Sequence, residues 1–104
     1  MMLDQHRQEA VRLLKALANE HRLAILCCLR EGEQSVTVLG HHLPLSQSAL
    51  SQHLAWLRKE HLVMARRHAQ TVFYRLANDQ AERVIHVLNR LYSPIRDSEF
   101  SEQD

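Results

Sequence analysis

The stretch LSQSALSQHLAWLRKEHLV, Leu45 to Val63, decides how this chain is read. Its leucines Leu50, Leu54 and Leu57 fall at i, i+4 and i+7, the spacing that lines one face of an α-helix. Ser46 stands where an N-cap belongs, its hydroxyl able to accept from one of the helix's unpaired first amides. On a helix begun there, Gln47, Ser48, Ser51 and Gln52 lie on the outer face of the first two turns, and Arg58 and Lys59 come at the far end. Small hydrogen-bonding side chains first and positive charges last is the order expected of a recognition helix, whose N-terminal residues meet base edges in the major groove. Glutamine pairs bidentately with adenine, and serine donates or accepts at several bases. Arg58 suits a backbone phosphate or the negative end of the helix. The competing reading is a merely solvated helix surface, and the neighbouring elements decide between the two.

Working outward, Ser35 caps a short helix that runs through His42 and ends at Pro44. Asn19 caps another, with Leu23, Leu26 and Leu29–Arg30 in phase and Gly32 as its stop. Before it, Val11, Leu14 and Leu17–Ala18 recur at helical spacing, with Ala10 and Leu13 widening the stripe. After Leu62 the period changes to two. In QTVFYRL, Val72, Tyr74 and Leu76 alternate with Thr71, Phe73 and Arg75, and LVMARR precedes them, so the spacing predicts a hairpin turning near His68–Ala69. From Asn78 a last helix follows, with Val84, Leu88, Leu91 and Ile95 on one stripe, Ile85 and Tyr92 on its flank, and Pro94 to end or kink it.

The expected fold is therefore mainly α with a small β-hairpin wing: four helices, the hairpin and a fifth helix, a winged helix-turn-helix. Only two glycines and two prolines interrupt the chain, as short connections between helices require. One domain is expected over residues 1–96, with the acidic, polar residues 97–104 as a frayed tail. The first and last helices carry more apolar surface than a small domain covers, which predicts a homodimer joined through Val11, Leu14, Val84, Leu88, Leu91 and Tyr92. The alternative is that both helices complete a monomeric core.

The 104 residues carry a net charge of +1, but unevenly. Residues 1–45 are neutral, residues 46–76 hold +4 and residues 77–104 hold −3. A basic middle third is the footprint of a polyanion partner, here double-stranded DNA. Arg66, Arg67, His68 and Gln70 flank the turn of the hairpin, placed to lie along phosphates or an adjacent minor groove. No apolar run approaches the roughly 20 residues that span a bilayer, and the N-terminal stretch reads as no secretory signal, so the cytoplasm is the expected compartment. An enzyme is not expected: there is no nucleophile–base constellation and no glycine loop to cradle phosphate. No cofactor is called for. The remaining rival is a winged-helix module that binds protein, against which the outward Gln/Ser cluster and the basic wing both speak.

Together, LLKALANEHRLAIL, LSQSALSQHLAWLR and RRHAQTVFYRL resemble the ArsR/SmtB family of arsenic- and metal-responsive repressors, in particular its HlyU/BigR/NolR-like branch, over about Val11 to Tyr92. The resemblance implies a homodimeric winged helix that binds an imperfect palindrome in a promoter and usually represses until an inducer releases it. It carries Gln47, Ser48, Ser51, Gln52 and His53 onto the recognition helix, and Arg66, Arg67 and Gln70 onto the wing. The family's thiolate metal site maps to SVTVLG, where Ser35 and Thr37 replace thiols, and soft metals want thiolates. Its other metal site retains Asp79 alone, with Ala81, Arg90 and Ser93 at the remaining positions; one carboxylate does not hold zinc. No metal is expected at either.

The oxidation-responsive branch pairs a cysteine in the second helix with another late in the last helix. Cys27 matches the first, but Ser93 stands at the second, leaving only the neighbours Cys27 and Cys28. Three readings stay open for them: small buried hydrophobes, an oxidation or persulfide sensor, or a thiolate site for a metal or arsenical. Their mid-helix place argues against a lowered thiol pKa. Of the eight histidines, His41 and His42 diverge by about 100° on a helix and chelate poorly. His21, His61 and His68 lie near element ends in ordinary solvated or capping roles, and His86 is expected to pack among apolar neighbours.

Overall fold

The computed structural model describes residues 2–94. The elements are α1 (Met2–Gln5), α2 (Arg7–Leu17), α3 (Glu20–Leu29), β1 (Gln34–Ser35), α4 (Val36–His42), α5 (Gln47–Lys59), β2 (Val63–His68), β3 (Thr71–Leu76) and α6 (Gln80–Tyr92). The tail expected over residues 97–104, and Ile95, lie outside the described residues.

Local chemistry sets the helix starts. Asn19 Oδ1 accepts from the amides of His21 and Arg22, both at 3.0 Å. Ser35 Oγ accepts from Val38 N at 3.1 Å, and Ser46 Oγ from Ala49 N at 3.0 Å. Each bond satisfies an amide that the helix itself leaves unpaired. The α5 terminus is a Schellman motif: Leu62 N donates to Leu57 O, His61 N donates to Arg58 O, and His61 takes the left-handed φ of 64°. Buried Leu57 and Leu62 provide the apolar contact that accompanies it. Gly32, at φ 128°, ends the passage out of α3 in a conformation a side chain would strain.

The core lies around α3, which touches α2, α5, α6 and β3. Ile25, Leu26 and Leu29 of α3 are buried with Leu39 and Leu43 from the α4 region, Leu50, Leu54 and Leu57 of α5, Leu62, Val63, and Ala81 and Ile85 of α6. The strict leucine phase read from the sequence on α5 is the face that is buried. On α2 the buried residue is Ala16, while Val11 and Leu14 are exposed. On α6, Val84 and Leu88 are half-buried and Leu91, Tyr92 and Val87 stand in solvent.

Four sequence expectations need adjustment. Residues Met2–Gln5 form a separate short helix ahead of the first predicted one. The hairpin gains a third strand, so the sheet runs β1-β3-β2, all antiparallel. Two residues are too few for a periodicity to reveal β1. His68 pairs with Thr71, so the turn residues are Ala69 and Gln70, one place later than expected, with Ala69 at φ 56° in place of glycine. His86 is exposed, because the inward phase of α6 is set by Ala81 and Ile85.

Candidate nucleic-acid interface

Helices α4 and α5 form a helix-turn-helix whose turn, Leu43 to Ser46, buries Leu43 and half-buries Leu45 beneath it. With Leu50, Leu54 and Leu57 inward, the residues opposite them on α5 are Ser48, Gln52, Ala55 and Lys59, all exposed. Gln47, Ser51 and Arg58 are exposed along one flank of that row. The surface is polar, short-chained and unobstructed over its first two turns, and cationic at its last. Ala55 was not singled out from the sequence, where one alanine carries no signal. In the fold it is a small exposed residue between Gln52 and Lys59, suited to close approach or to contact with a thymine methyl.

The other flank of α5 faces α3. His53 is half-buried there, its ring centroid 5.7 Å from that of His21. Burial, then Arg22 and His21, hold its imidazole below the usual pKa, so the neutral form is favoured. Arg22 stacks over Trp56 at 4.0 Å and donates from Nη2 to Lys15 O at 2.9 Å, tying α2, α3 and α5 together. His53 thus lies on the same helix as Gln52 but on the side packed within the domain.

The wing divides its expected contacts. Arg67 and His68 are exposed near the turn with Gln70. Arg66 instead makes a bidentate pair with Glu33, Nε to Oε2 at 2.8 Å and Nη2 to Oε1 at 2.7 Å, while its guanidinium lies 4.7 Å from the Phe73 ring. That pair lowers the Glu33 pKa and raises that of Arg66, chiefly through the hydrogen bonds. Arg58 of α5 and Arg67 of β2 line one recess of about 260 Å³ together with Ala65, Arg66, Val72 and Tyr74.

Cys27 is exposed and Cys28 half-buried on α3. Burial raises both thiol pKa values; Arg30 opposes this at Cys27, and the neighbouring Cys27 adds to it at Cys28. The Cys28 carbonyl accepts from Gln34 Nε2 at 2.6 Å. The reading of both as fully buried hydrophobes therefore does not hold, since only Cys28 packs against the core. Among the described residues, no three His, Cys, Asp or Glu side chains gather to hold a metal ion, and no helix is long and apolar enough to cross a membrane.

A concavity of about 800 Å³ lies away from the recognition helix on α6, lined by Val84, Val87, His86, Glu82 and Arg83. With exposed Val11 and Leu14 on the neighbouring α2, it leaves an apolar face uncovered in the single protomer.

Comparison with known proteins agrees with this geometry. Residues 19–64, from the α3 cap through the start of the wing, match the family described as bacterial regulatory protein, arsR family. The transcriptional activator HlyU of Vibrio cholerae is 54% identical over 90 residues, covering 86% of this chain and 83% of HlyU. The structure of reduced HlyU from Vibrio cholerae N16961 superposes with a TM-score of 0.79 at 53% identity, over 88% of this chain and 97% of that one. The transcriptional repressor BigR from Xylella fastidiosa gives 0.82 at 34% identity, over 86% and 92%. A homodimeric winged helix-turn-helix DNA-binding domain from Mycobacterium bovis, Mb0332, gives 0.73 at 28% identity, over 97% and 89%.

Proposed function

The chain belongs to the arsR family of bacterial regulatory proteins, and from that premise we propose that it is a homodimeric, sequence-specific regulator of transcription that binds an imperfect palindrome in promoter DNA. In this reading α5 enters the major groove, and Ser48 and Gln52, with Gln47 and Ser51 beside them, read base edges. The wing and the end of α5 hold the backbone. The observation that carries the reading is the row Ser48, Gln52, Ala55 and Lys59, which stands in solvent on the side of α5 opposite its buried leucines. Two protomers related by a two-fold axis would present two such rows to half-sites about 34–36 Å apart, one turn of the duplex.

A titration of the full chain against its own upstream DNA between about 50 and 200 mM salt tests this. Two phosphate contacts per protomer predict a slope of log K against log salt of about −3.6. Binding that hardly responds to salt would remove the DNA-binding reading and leave the protein-interaction module. Gln52→Ala is expected to weaken operator binding by about 1–3 kcal/mol while leaving binding to scrambled duplex unchanged. Equal losses on both duplexes would take Gln52 out of the reading role.

Control by the thiol pair is the finer part of the proposal. Exposed Cys27 is open to peroxide, which would oxidise its thiol to a sulfenic acid and leave as water. Condensation with the Cys28 thiol would then form a disulfide between neighbours and release a second water. The ring so closed bends the helical backbone, and the raised thiol pKa values make the reaction faster as pH rises. Peroxide or polysulfide should release the wild type from DNA and spare Cys27→Ser. If both are released alike, the pair senses nothing.

A further inference from the structure

The wing carries two adjacent arginines, and the fold gives them different surroundings. Strand alternation sends Arg66 and Arg67 to opposite faces of the sheet. Arg66 pairs across the ladder with Phe73, and Phe73 in turn pairs with Ser35 of β1. At that level of the sheet the Arg66 guanidinium lies over the Phe73 ring and ends on both carboxylate oxygens of Glu33, just before β1. The contact therefore crosses all three strands and joins the wing to the segment that caps α4. Arg67, paired with Val72, lies on the other face and shares a recess with Arg58 from the last turn of α5; Arg66 also lines that recess, but its guanidinium is held on Glu33. No carboxylate among the described residues pairs with Arg58 or Arg67.

Resting on the reading that the chain binds duplex DNA, we propose that Arg66 is not a phosphate contact but forms with Glu33 a clamp that positions the wing, so that Arg67 and Arg58 close on adjacent phosphates of the DNA backbone. A bidentate arginine–carboxylate fork fixes direction as well as distance, and a ring beneath it removes the remaining freedom. Arg58 and Arg67 are two like charges held near one recess, an arrangement that phosphates beside them relieve. The opposite role for Glu33 would be a decoy that keeps Arg66 from the phosphates. The two roles predict opposite signs when the carboxylate is removed.

The test measures affinity of the full chain for its upstream duplex by fluorescence anisotropy across the same salt range, for wild type, Glu33→Gln, Arg66→Gln, the double variant, Arg58→Gln and Arg67→Gln. Thermal melting confirms that each is folded, as expected for these partly exposed side chains. Glu33→Gln and Arg66→Gln should each weaken binding about five- to twentyfold, two clamps being lost per dimer. The double variant should bind no worse than the weaker single one, because both singles break the same contact. Its salt slope should equal that of the wild type, since its net charge is unchanged and no phosphate contact is lost. Arg58→Gln and Arg67→Gln should each reduce the slope by about 1.8, two contacts at about 0.9 each. A double variant whose slope drops by about 1.8, or a Glu33→Gln protein that binds more tightly than wild type, overturns the clamp. A wild type that holds no duplex removes instead the DNA-binding reading beneath it, a distinct outcome that needs no variant.

Discussion

A Leu14→Asp protein is expected to sediment as a monomer at micromolar concentration and to lose at least about 100-fold in affinity for a palindromic operator. Leu14 is 59% exposed in the protomer, beside Val11 at 43%. On α6, which packs against α2, Leu91 is 65% and Tyr92 82% exposed. Burying one such side chain stabilises association by about 1.5–3 kcal/mol, and two-fold symmetry counts each residue twice. An aspartate there forfeits that contribution and adds the cost of desolvating a carboxylate. The protomer itself should melt almost unchanged when compared at equal monomer concentration, because Leu14 contributes little to its own core. A variant that stays dimeric would show that the subunits join through another surface.

Leu54→Ala addresses the other side of the molecule and is expected to cost about 2–5 kcal/mol of stability. Leu54 is fully buried in the centre of α5, between Leu50 and Leu57, where α5 packs on α3. Removing its three outer carbons leaves a cavity that the close-packed buried core around it cannot fully close. For a domain of this size the melting temperature should fall by roughly 10–30 °C. Gln52→Ala, two residues away on the exposed face, should leave melting within about 0.5 kcal/mol of wild type. A Leu54→Ala protein as stable as wild type would mean that α5 does not turn its leucines inward, and the outward row of Ser48 and Gln52 would lose its basis.

The contrast between these two residues shows which parts of the site are legible in the chain. Leu50, Leu54 and Leu57 repeat at the helical period, and Ser46, Ser35 and Asn19 each bond to amides within three residues. Signals so short in range survive without knowledge of the fold. The outward direction of Ser48, Ser51 and Gln52 follows from the same periodicity. So does the excess of apolar surface on α2 and α6, although Val87, 53% exposed, lies off the stripe that its neighbours set.

The pairings that the sequence conceals are long in range. Arg66 and Arg67 look alike in the sequence, yet Glu33 lies 33 positions from Arg66 and only strand pairing brings them together. His53 sits beside Gln52 in the chain but turns to His21 across a helix packing, and Arg22 reaches Trp56 in the same way.

The sequence by itself determined the order of the five longer helices and the hairpin, the helix caps, the buried leucine face of α5 and hence the polar row opposite it, because each depends on backbone periodicity and hydrogen bonds a few residues long. Tertiary structure alone decided which cations stay open to a phosphate and which are already answered by a carboxylate or an aromatic ring. A charge's availability depends on what lies within a few ångströms of it, and in this chain those neighbours come from distant segments.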